Sequence, residues 1–257
     1  MKFFRIAFHL FVLAIIIEIL VVIYRGRCVP SPNYHEPILI AHAGGEIDGY
    51  VYTNCVEAVE KSIKDGFKAF ELDLCLTADS QIIATHDWLT FNKQTRSLKS
   101  KEPMKIQELS KLKLYGLYTP FTLSKIDSLL ICNPQLIFVT DKISSPTIIK
   151  KYFSKYKDRM FIECMSIDDY FNLKECGFSG VAFSGSGSWV FLWSELKYLL
   201  GLTNKRIERI VWHTDSYNKY MSWWCSPKSF LLWGGSAPTD YPVSIDIEGV
   251  YVDNINN

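Results

Sequence analysis

The amino-acid sequence predicts a single (β/α)8 barrel preceded by one amino-terminal transmembrane helix. Three observations support this prediction. The chain has short, nearly continuous apolar segments, and helical patterns lie between many of them. After a long apolar stretch at the amino terminus, the remaining residues are about enough for one domain. The 257 residues include 28 Lys or Arg and 27 Asp or Glu, giving a net charge of +1 with neutral histidines. This balance argues against nucleic-acid binding by an excess of basic charge, and 48% hydrophobic residues argue against a disordered chain.

The apolar start covers residues 6–24, and only one His and one Glu interrupt it. About twenty apolar residues in a helix cross the hydrocarbon core of a bilayer. The stretch is longer than the apolar region of a cleaved secretory signal, which is the alternative, and Arg25 and Arg27 follow it instead of small residues. We therefore predict a membrane anchor over residues 1–28. Positive charges flank both ends, so the side of the membrane on which the remaining chain lies is left open.

The remaining residues, 29–257, are predicted to form the barrel. Short apolar runs are typical of strands buried on both faces of a parallel sheet, and we expect strands at 38–42, 68–73, 81–86, 135–141, 159–164, 179–183, 207–212 and 249–252. Later helical patterns lie at 106–114, 145–156, 167–175 and 189–200. An open doubly wound sheet is the alternative, but the sequence has no glycine-rich phosphate loop to favour it.

The first predicted helix begins near a possible capping box. Asn54 lies three residues before Glu57, and such a pair can satisfy free N–H groups at a helix start. Cys55, Val59 and Ile63 then recur at helical spacing. We therefore predict that Asn54 caps this helix.

Polar residues lie at the ends of the first four predicted strands. They are His42, the pair Glu71 and Asp73, His86, and Asp141. Active sites of (β/α)8 barrels are built at the carboxyl ends of the strands. The sequence therefore predicts that these five side chains meet there.

The two acids of the second strand indicate a metal site. Glu71 and Asp73 are two residues apart, so both point to the same side of the strand. If that side faces the barrel interior, the carboxylates repel each other and lose hydration, which a bound cation would relieve. Oxygen ligands suit Mg²⁺ or Ca²⁺, and Asp141 could supply a third ligand. With two histidines above such an ion, the set can cleave a phosphodiester by general acid–base catalysis.

Four motifs follow one another over residues 42–87: H-A-G-G, T-N-x-x-E-A, E-L-D-L-x-x-T-x-D and A-T-H-D. In this order they resemble the signature of the glycerophosphodiester phosphodiesterase family, within the PLC-like phosphodiesterase superfamily. The last predicted strand, which runs into Asp253, also resembles that family's closing strand. The resemblance implies a TIM barrel that hydrolyses glycerophosphodiesters to glycerol 3-phosphate and an alcohol with the help of a divalent metal.

The resemblance also implies roles for seven side chains. They are catalysis for His42 and His86, metal binding for Glu71, Asp73 and Asp141, and substrate binding for Lys142 and Trp212. Packing within the barrel is the alternative for Trp212.

Two positions depart from the family pattern. Ala43 follows the first histidine where the family usually has Arg, and Lys142 lies one residue beyond the third acid, so that Ile143 occupies the usual lysine position. A bulge could bring Lys142 inward. Two alternatives to glycerophosphodiester hydrolysis therefore stay open: a sphingomyelinase D-like phospholipase with a cyclic phosphate product, and a catalytically inactive barrel used for binding.

Other polar and aromatic residues receive structural assignments. We expect no catalytic role for His9, His35 or His213, and we expect Asp87 to cap the loop that follows it. The aromatic cluster of Trp223, Trp224 and Trp233 is assigned to the core, with a lid or a membrane-contacting surface as the alternative.

Overall fold

The computed structural model of this chain contains a closed barrel of eight parallel strands, which confirms the predicted fold. The structure describes residues 36–97, 101–109, 111–184, 189–214, 229–235 and 247–255, together with 5–6, 8–13, 16–17 and 20 near the amino terminus. The barrel strands are β1 (Ile38–Ala41), β2 (Ala69–Leu76), β4 (Ile137–Asp141), β5 (Met160–Cys164), β6 (Gly180–Phe183), β7 (Arg209–His213), β8 (Ser229–Trp233) and β9 (Ile247–Val252). They follow one another around the barrel in this order, and β9 and β2 both pair with β1.

One predicted barrel strand was wrong. The segment 81–86 contains β3 (Ile82–Ala84), which pairs antiparallel with the end of β2 and lies outside the closed barrel. Residues 77–81 are too few for a crossover between parallel strands, which needs a dozen or more residues. The eighth barrel strand is instead β8, which the sequence analysis did not assign.

Seven α-helices are described in the chain. They are α1 (Val56–Lys64), α2 (Trp88–Gln94), α3 (Ile106–Leu109), α4 (Leu123–Cys132), α5 (Pro146–Phe153), α6 (Ile167–Glu175) and α7 (Trp189–Leu199). The helices predicted at 145–156, 167–175 and 189–200 are confirmed, with a 3₁₀ turn completing the first of them. The helix predicted at 106–114 ends at Leu109, and α2 and α4 were not predicted.

The barrel wall separates two layers of apolar side chains. Phe70, Leu72 and Leu74 of β2 pack into the large cluster between the strands and the outer helices, whereas Ala69 lies in the smaller interior cluster. Because side chains alternate along a strand, the acids that follow Ala69 at every second position point into the barrel. This is the orientation on which the predicted metal site depends.

A third apolar cluster lies beside the barrel. It contains Ile83 of β3, Trp88 and Phe91 of α2, Leu109 of α3, and Cys55 at the start of α1. The segment from β3 to α3 therefore packs on a small core of its own.

The predicted membrane anchor falls mostly on residues about which the structure gives no description. The described residues between 5 and 20 are helical, while 7, 14–15, 18–19 and 21–24 lie outside the described residues. Within the described part of the chain, no helix has the length and apolar character needed to span a membrane. The anchor and the division into 1–28 and 29–257 remain predictions.

Candidate active site

A cavity of about 600 Å³ opens at the carboxyl ends of the barrel strands. All seven predicted site residues line it: His42, His86, Glu71, Asp73, Asp141, Lys142 and Trp212. The acids come from β2 and β4, whereas Trp212 comes from β7, four places around the barrel from β2. The cavity therefore has an acidic wall and, facing it, an aromatic wall.

The acidic wall contains three carboxylates close enough to share one ion. Glu71, Asp73 and Asp141 each offer an oxygen atom within 4.8 Å of the others. Oε2 of Glu71 accepts a hydrogen bond of 2.8 Å from the backbone N–H of Ala43. Oε1 of Glu71 and Oδ1 of Asp141 are buried without a hydrogen-bond partner. Buried polar atoms rarely lack a partner in folded proteins, so these two oxygens indicate a ligand at this point.

The protonation of the cluster reflects its excess of negative charge. Burial raises the pKa of Glu71 well above its ordinary value, and repulsion by Asp73 and Asp141 raises it further. Burial, with repulsion by Asp73 and Glu163, raises the pKa of Asp141 to about 8. The Lys142 ammonium lies 3.1 Å from Oδ2 of Asp141 and 3.6 Å from Oδ1 of Asp73, but it balances only part of the charge. The donor set therefore fits a hard divalent cation such as Ca²⁺ or Mg²⁺.

Lys142 reaches the cavity through a tight turn. Its φ of 63° lies in the left-handed region, and the N–H of Ile143 donates to the carbonyl of Asp141 at 2.7 Å. Ile143 is buried in the cluster between barrel and helices. A turn, rather than the considered bulge, thus brings the lysine to the acids from one residue beyond Asp141.

Asn54 has a different role from the one predicted. The cap of α1 is Cys55, whose Sγ accepts a bond from the backbone N–H three residues later, and Glu57 accepts two bonds from Thr119. Asn54 instead donates from Nδ2 to Oδ2 of Asp73 and accepts from the N–H of Asp73, both at 2.9 Å. The capping prediction was wrong, because this side chain fixes the position of a predicted metal ligand.

His42 begins the 3₁₀ turn after β1 and is held by its surroundings. Its Nδ1 lies 3.4 Å from Oδ1 of Asp253, at the end of β9. The ring packs edge-on against Tyr52 and Tyr251, at centroid distances of 4.6 and 5.9 Å. This contact is an ion-pair distance rather than a hydrogen bond, because Oδ1 of Asp253 is buried without a hydrogen-bond partner. A carboxylate beside Nδ1 leaves Nε2 for other contacts. Asp253 carried no assigned role in the sequence analysis, although it lay within the recognised closing strand.

His86 reaches the rim because β3 returns from the extended end of β2. The N–H of Thr85 donates to the carbonyl of Asp73 at 2.8 Å, which brings the next residue to the level of the acids. Nδ1 of His86 lies 2.8 Å from Oδ2 of Asp87, whose Oδ1 caps α2 by accepting from the N–H of Thr90. Burial raises the pKa of Asp87, but the hydrogen bonds from Thr90 and His86 lower it to about 2. Asp87 thus caps helix α2, where a loop was predicted, and also orients His86.

Ala43 leaves one part of the cavity without a cationic side chain. It is fully buried with a φ of 47°, and its N–H is bound to Glu71. Among the described residues that line the cavity, Lys142 alone is a Lys or Arg.

The cavity includes residues that the sequence analysis did not assign to a site. Partly buried Glu163 of β5 accepts a hydrogen bond from the hydroxyl of Tyr251, and loss of solvent around its carboxyl raises its pKa. His213 and Trp233 pack edge-on at 4.5 Å and line the aromatic wall, so the assignment of Trp233 to the core was wrong. No sequence motif singled out this pair.

The two remaining histidines lie elsewhere. His9 is exposed and contacts the carbonyl of Arg5 at 2.6 Å. His35 lies outside the described residues, as do Trp223 and Trp224.

The likeness of this chain to known proteins lies in its fold. No protein-family model matches the sequence, and no curated protein matches it. Solved structures do match, and they are phosphodiesterases that share the TIM barrel.

Three of these structures represent the likeness. A glycerophosphodiester phosphodiesterase from Thermotoga maritima is 18% identical, with a TM-score of 0.62 over 86% of this chain and 96% of its own. One from Parabacteroides distasonis is also 18% identical, with a TM-score of 0.61 over 86% and 94%. A phosphodiesterase from Oleispira antarctica, in complex with the product sn-glycerol-3-phosphate, is 14% identical, with a TM-score of 0.62 over 83% and 92%. The barrel of the glycerophosphodiester phosphodiesterases is thus the fold of this chain.

Proposed function

We propose that this protein is a phosphoric diester hydrolase that cleaves glycerophosphodiesters, or a related lipid head group, to glycerol 3-phosphate and an alcohol. The observation that carries the proposal is the content of one cavity. Two histidines, each with a carboxylate at Nδ1, line it together with three carboxylates that retain two unpaired oxygens. The shared fold with glycerophosphodiester phosphodiesterases supports the same reaction.

Glu71, Asp73 and Asp141 would hold a divalent metal, Ca²⁺ or Mg²⁺. Such an ion supplies positive charge that neutralises the phosphoryl oxygens as the bond to the leaving group breaks. Asn54 keeps Asp73 in place for this role, and the Lys142 ammonium adds a second positive charge beside it.

His42 and His86 would exchange protons with the substrate. Asp253 and Asp87 hold their Nδ1 atoms, which leaves each Nε2 for the reacting groups. One imidazole accepts the proton of the attacking oxygen, and the other donates a proton to the departing alkoxide. The reaction therefore requires one neutral and one protonated histidine at the start.

The remaining cavity walls contribute to substrate binding. With alanine at position 43, Lys142 supplies the cationic side chain for the phosphate among the described lining residues. Trp212 lines the cavity across from the acids. Its side chain is buried in the cluster between the strands and the outer helices, so it would support the wall that faces the alcohol part of the substrate.

The predicted helix over residues 6–24 would hold the enzyme at a membrane as a single-pass protein. The length and apolar character of this stretch support the anchor. The proposal assigns the barrel to neither side of the membrane.

The test is a product analysis with the full chain in detergent. Glycerophosphocholine, a lysophospholipid and sphingomyelin are each supplied with Ca²⁺ or Mg²⁺, and phosphorus NMR identifies the products. His42→Ala is expected to abolish turnover, whereas His9→Ala, at an exposed histidine outside the cavity, serves as the matched control.

The outcomes separate the alternatives. Metal-dependent release of glycerol 3-phosphate supports the proposal, and a cyclic phosphate end product supports the sphingomyelinase D-like reaction instead. Absence of turnover, together with absence of stabilisation by either metal, indicates a binding barrel. Undiminished activity in His42→Ala would show that another group is the catalyst.

A further inference from the structure

Helix α7 presents large apolar side chains to the solvent. Trp193 and Leu196 are 56% and 41% exposed, and Leu200 and Leu202, directly beyond the helix, are 61% and 69% exposed. Helices α1 to α6 together expose one large hydrophobic side chain among their described residues, Ile131 of α4. Exposed apolar residues are common singly, whereas a contiguous group marks an interaction surface.

Trp193, Leu196 and Leu200 lie on one face because of helical spacing, and Leu202 follows in the turn beyond the helix. At about 100° per residue, positions 193, 196 and 200 fall within roughly 60° of one another. Phe191 and Glu195 are buried on the opposite side, where the Phe191 ring stacks on Phe183 of β6. The outward face of α7 is therefore apolar where a surface helix is normally polar.

The chemistry at the edge of this face resembles that of helices at membrane surfaces. Nζ of Lys197 lies 5.7 Å from the centre of the Trp193 ring, so a cation and an aromatic ring border the apolar stripe together. Trp rings and lysine ammonium groups are enriched at the level of the lipid head groups, where one end of the side chain is apolar and the other is wet. Lysine can keep its ammonium in water while its methylene chain covers apolar surface.

The position of the chain start brings a membrane within reach of this face. Residues 25–37 join the predicted transmembrane segment to β1. These thirteen residues span at most about 45 Å. A domain of about 220 residues has a radius of gyration of about 17 Å, so this connection reaches any side of the barrel. The anchor alone thus leaves the rotation of the barrel undetermined.

We propose that Trp193, Leu196, Leu200 and Leu202 dock onto the lipid bilayer that the amino-terminal segment enters. The proposal rests on the membrane anchor proposed above. The contact turns the flank of the barrel at α7 toward the lipid and holds the cavity mouth in one orientation relative to the membrane.

The experiment places a photo-reactive benzophenone amino acid at position 196 or 200 of the full chain, in vesicles of phosphatidylcholine and phosphatidylglycerol. Position 128, exposed and polar on α4, is the matched control. After irradiation, mass spectrometry identifies what has been cross-linked. Lipid adducts are expected at positions 196 and 200, and no lipid adduct is expected at position 128.

Other adducts would overturn the proposal. A cross-link within the chain to residues 6–24 would mean that the anchor segment covers α7, and a cross-linked dimer would mean that a second copy does. Absence of any adduct at both positions would also refute the contact. Carbonate extraction tests the anchor separately: a chain that carbonate removes lacks the anchor, whereas a lipid adduct at 196 in that chain still supports the α7 surface.

Discussion

The substitution Asp141→Asn should flatten the pH dependence of stability of the metal-free protein between about pH 5 and about pH 8. Burial and repulsion raise the pKa of Asp141 to about 8, far above that of an exposed aspartate. In this pH range the folded protein therefore holds a proton that the unfolded chain has already released. Raising the pH removes that proton and lowers the free energy of unfolding.

The size of the effect follows from the two pKa values. With a pKa of about 8 in the folded protein and about 3.9 in the unfolded chain, the Asp141 carboxyl lowers stability by roughly 3 to 4 kcal/mol as the pH rises from about 5 to about 8. The carboxyl is mostly buried, so solvent screening reduces this amount little. Asparagine has no proton to lose, and this part of the pH dependence should vanish.

The measurement is urea unfolding of the detergent-solubilised full chain with a chelator, followed by circular dichroism. Asp158→Asn, at an exposed aspartate outside the cavity, is the matched control. At pH near 8, Ca²⁺ or Mg²⁺ at a hundred times its dissociation constant should stabilise the unsubstituted protein by about 2.7 kcal/mol and the Asp141→Asn protein by less. Parallel pH curves for the two proteins, or equal stabilisation by metal, would refute the account of the acidic wall.

Asn54→Leu and Gly234→Ala test two supports of the cavity, with Gly201→Ala as the control for the second. Asn54→Leu removes both hydrogen bonds to Asp73 and should lower the free energy of unfolding by about 3 kcal/mol, since one bond is to a buried carboxylate. A loss below about 1 kcal/mol in urea unfolding would contradict this role. Gly201→Ala should cost about 1 to 2 kcal/mol for its left-handed φ of 69° alone, because a Cβ there meets nothing within 4 Å. Gly234→Ala should cost about 1 to 3 kcal/mol more, because its Cβ would lie 2.4 Å from Nε2 of His213, and equal thermal destabilisation would contradict the predicted clash.

The fold could be predicted for those strands in which burial dictates the alternation of polar and apolar side chains. In β2, the alternation of Phe70 and Leu72 with Glu71 and Asp73 requires one face among the outer helices and the other inside the barrel. The segment 81–86 was wrongly predicted as a barrel strand from its apolar residues alone, because β3 is as buried as a barrel strand. Only five residues connect β3 to β2, and this length excludes a parallel crossover.

The candidate site was predictable where chemistry depends on residue type and position in a strand. The acids and histidines met these conditions, and they line one cavity. Asn54 was missed because its local sequence fits a helix cap equally well, and only the fold brings Asp73 to its side chain. The pairing of His42 with Asp253 likewise joins residues from opposite ends of the chain, which no local pattern contains.

The antiparallel position of β3 has a consequence for how activity is lost on heating. His86 follows a three-residue strand outside the closed barrel, and helices α2 and α3 after it pack on a small core beside the barrel. Local opening of such a segment requires less free energy than global unfolding. Warming should therefore withdraw His86 while the eight parallel strands are still paired. Thermal inactivation would precede the melting of the barrel and would reverse on cooling.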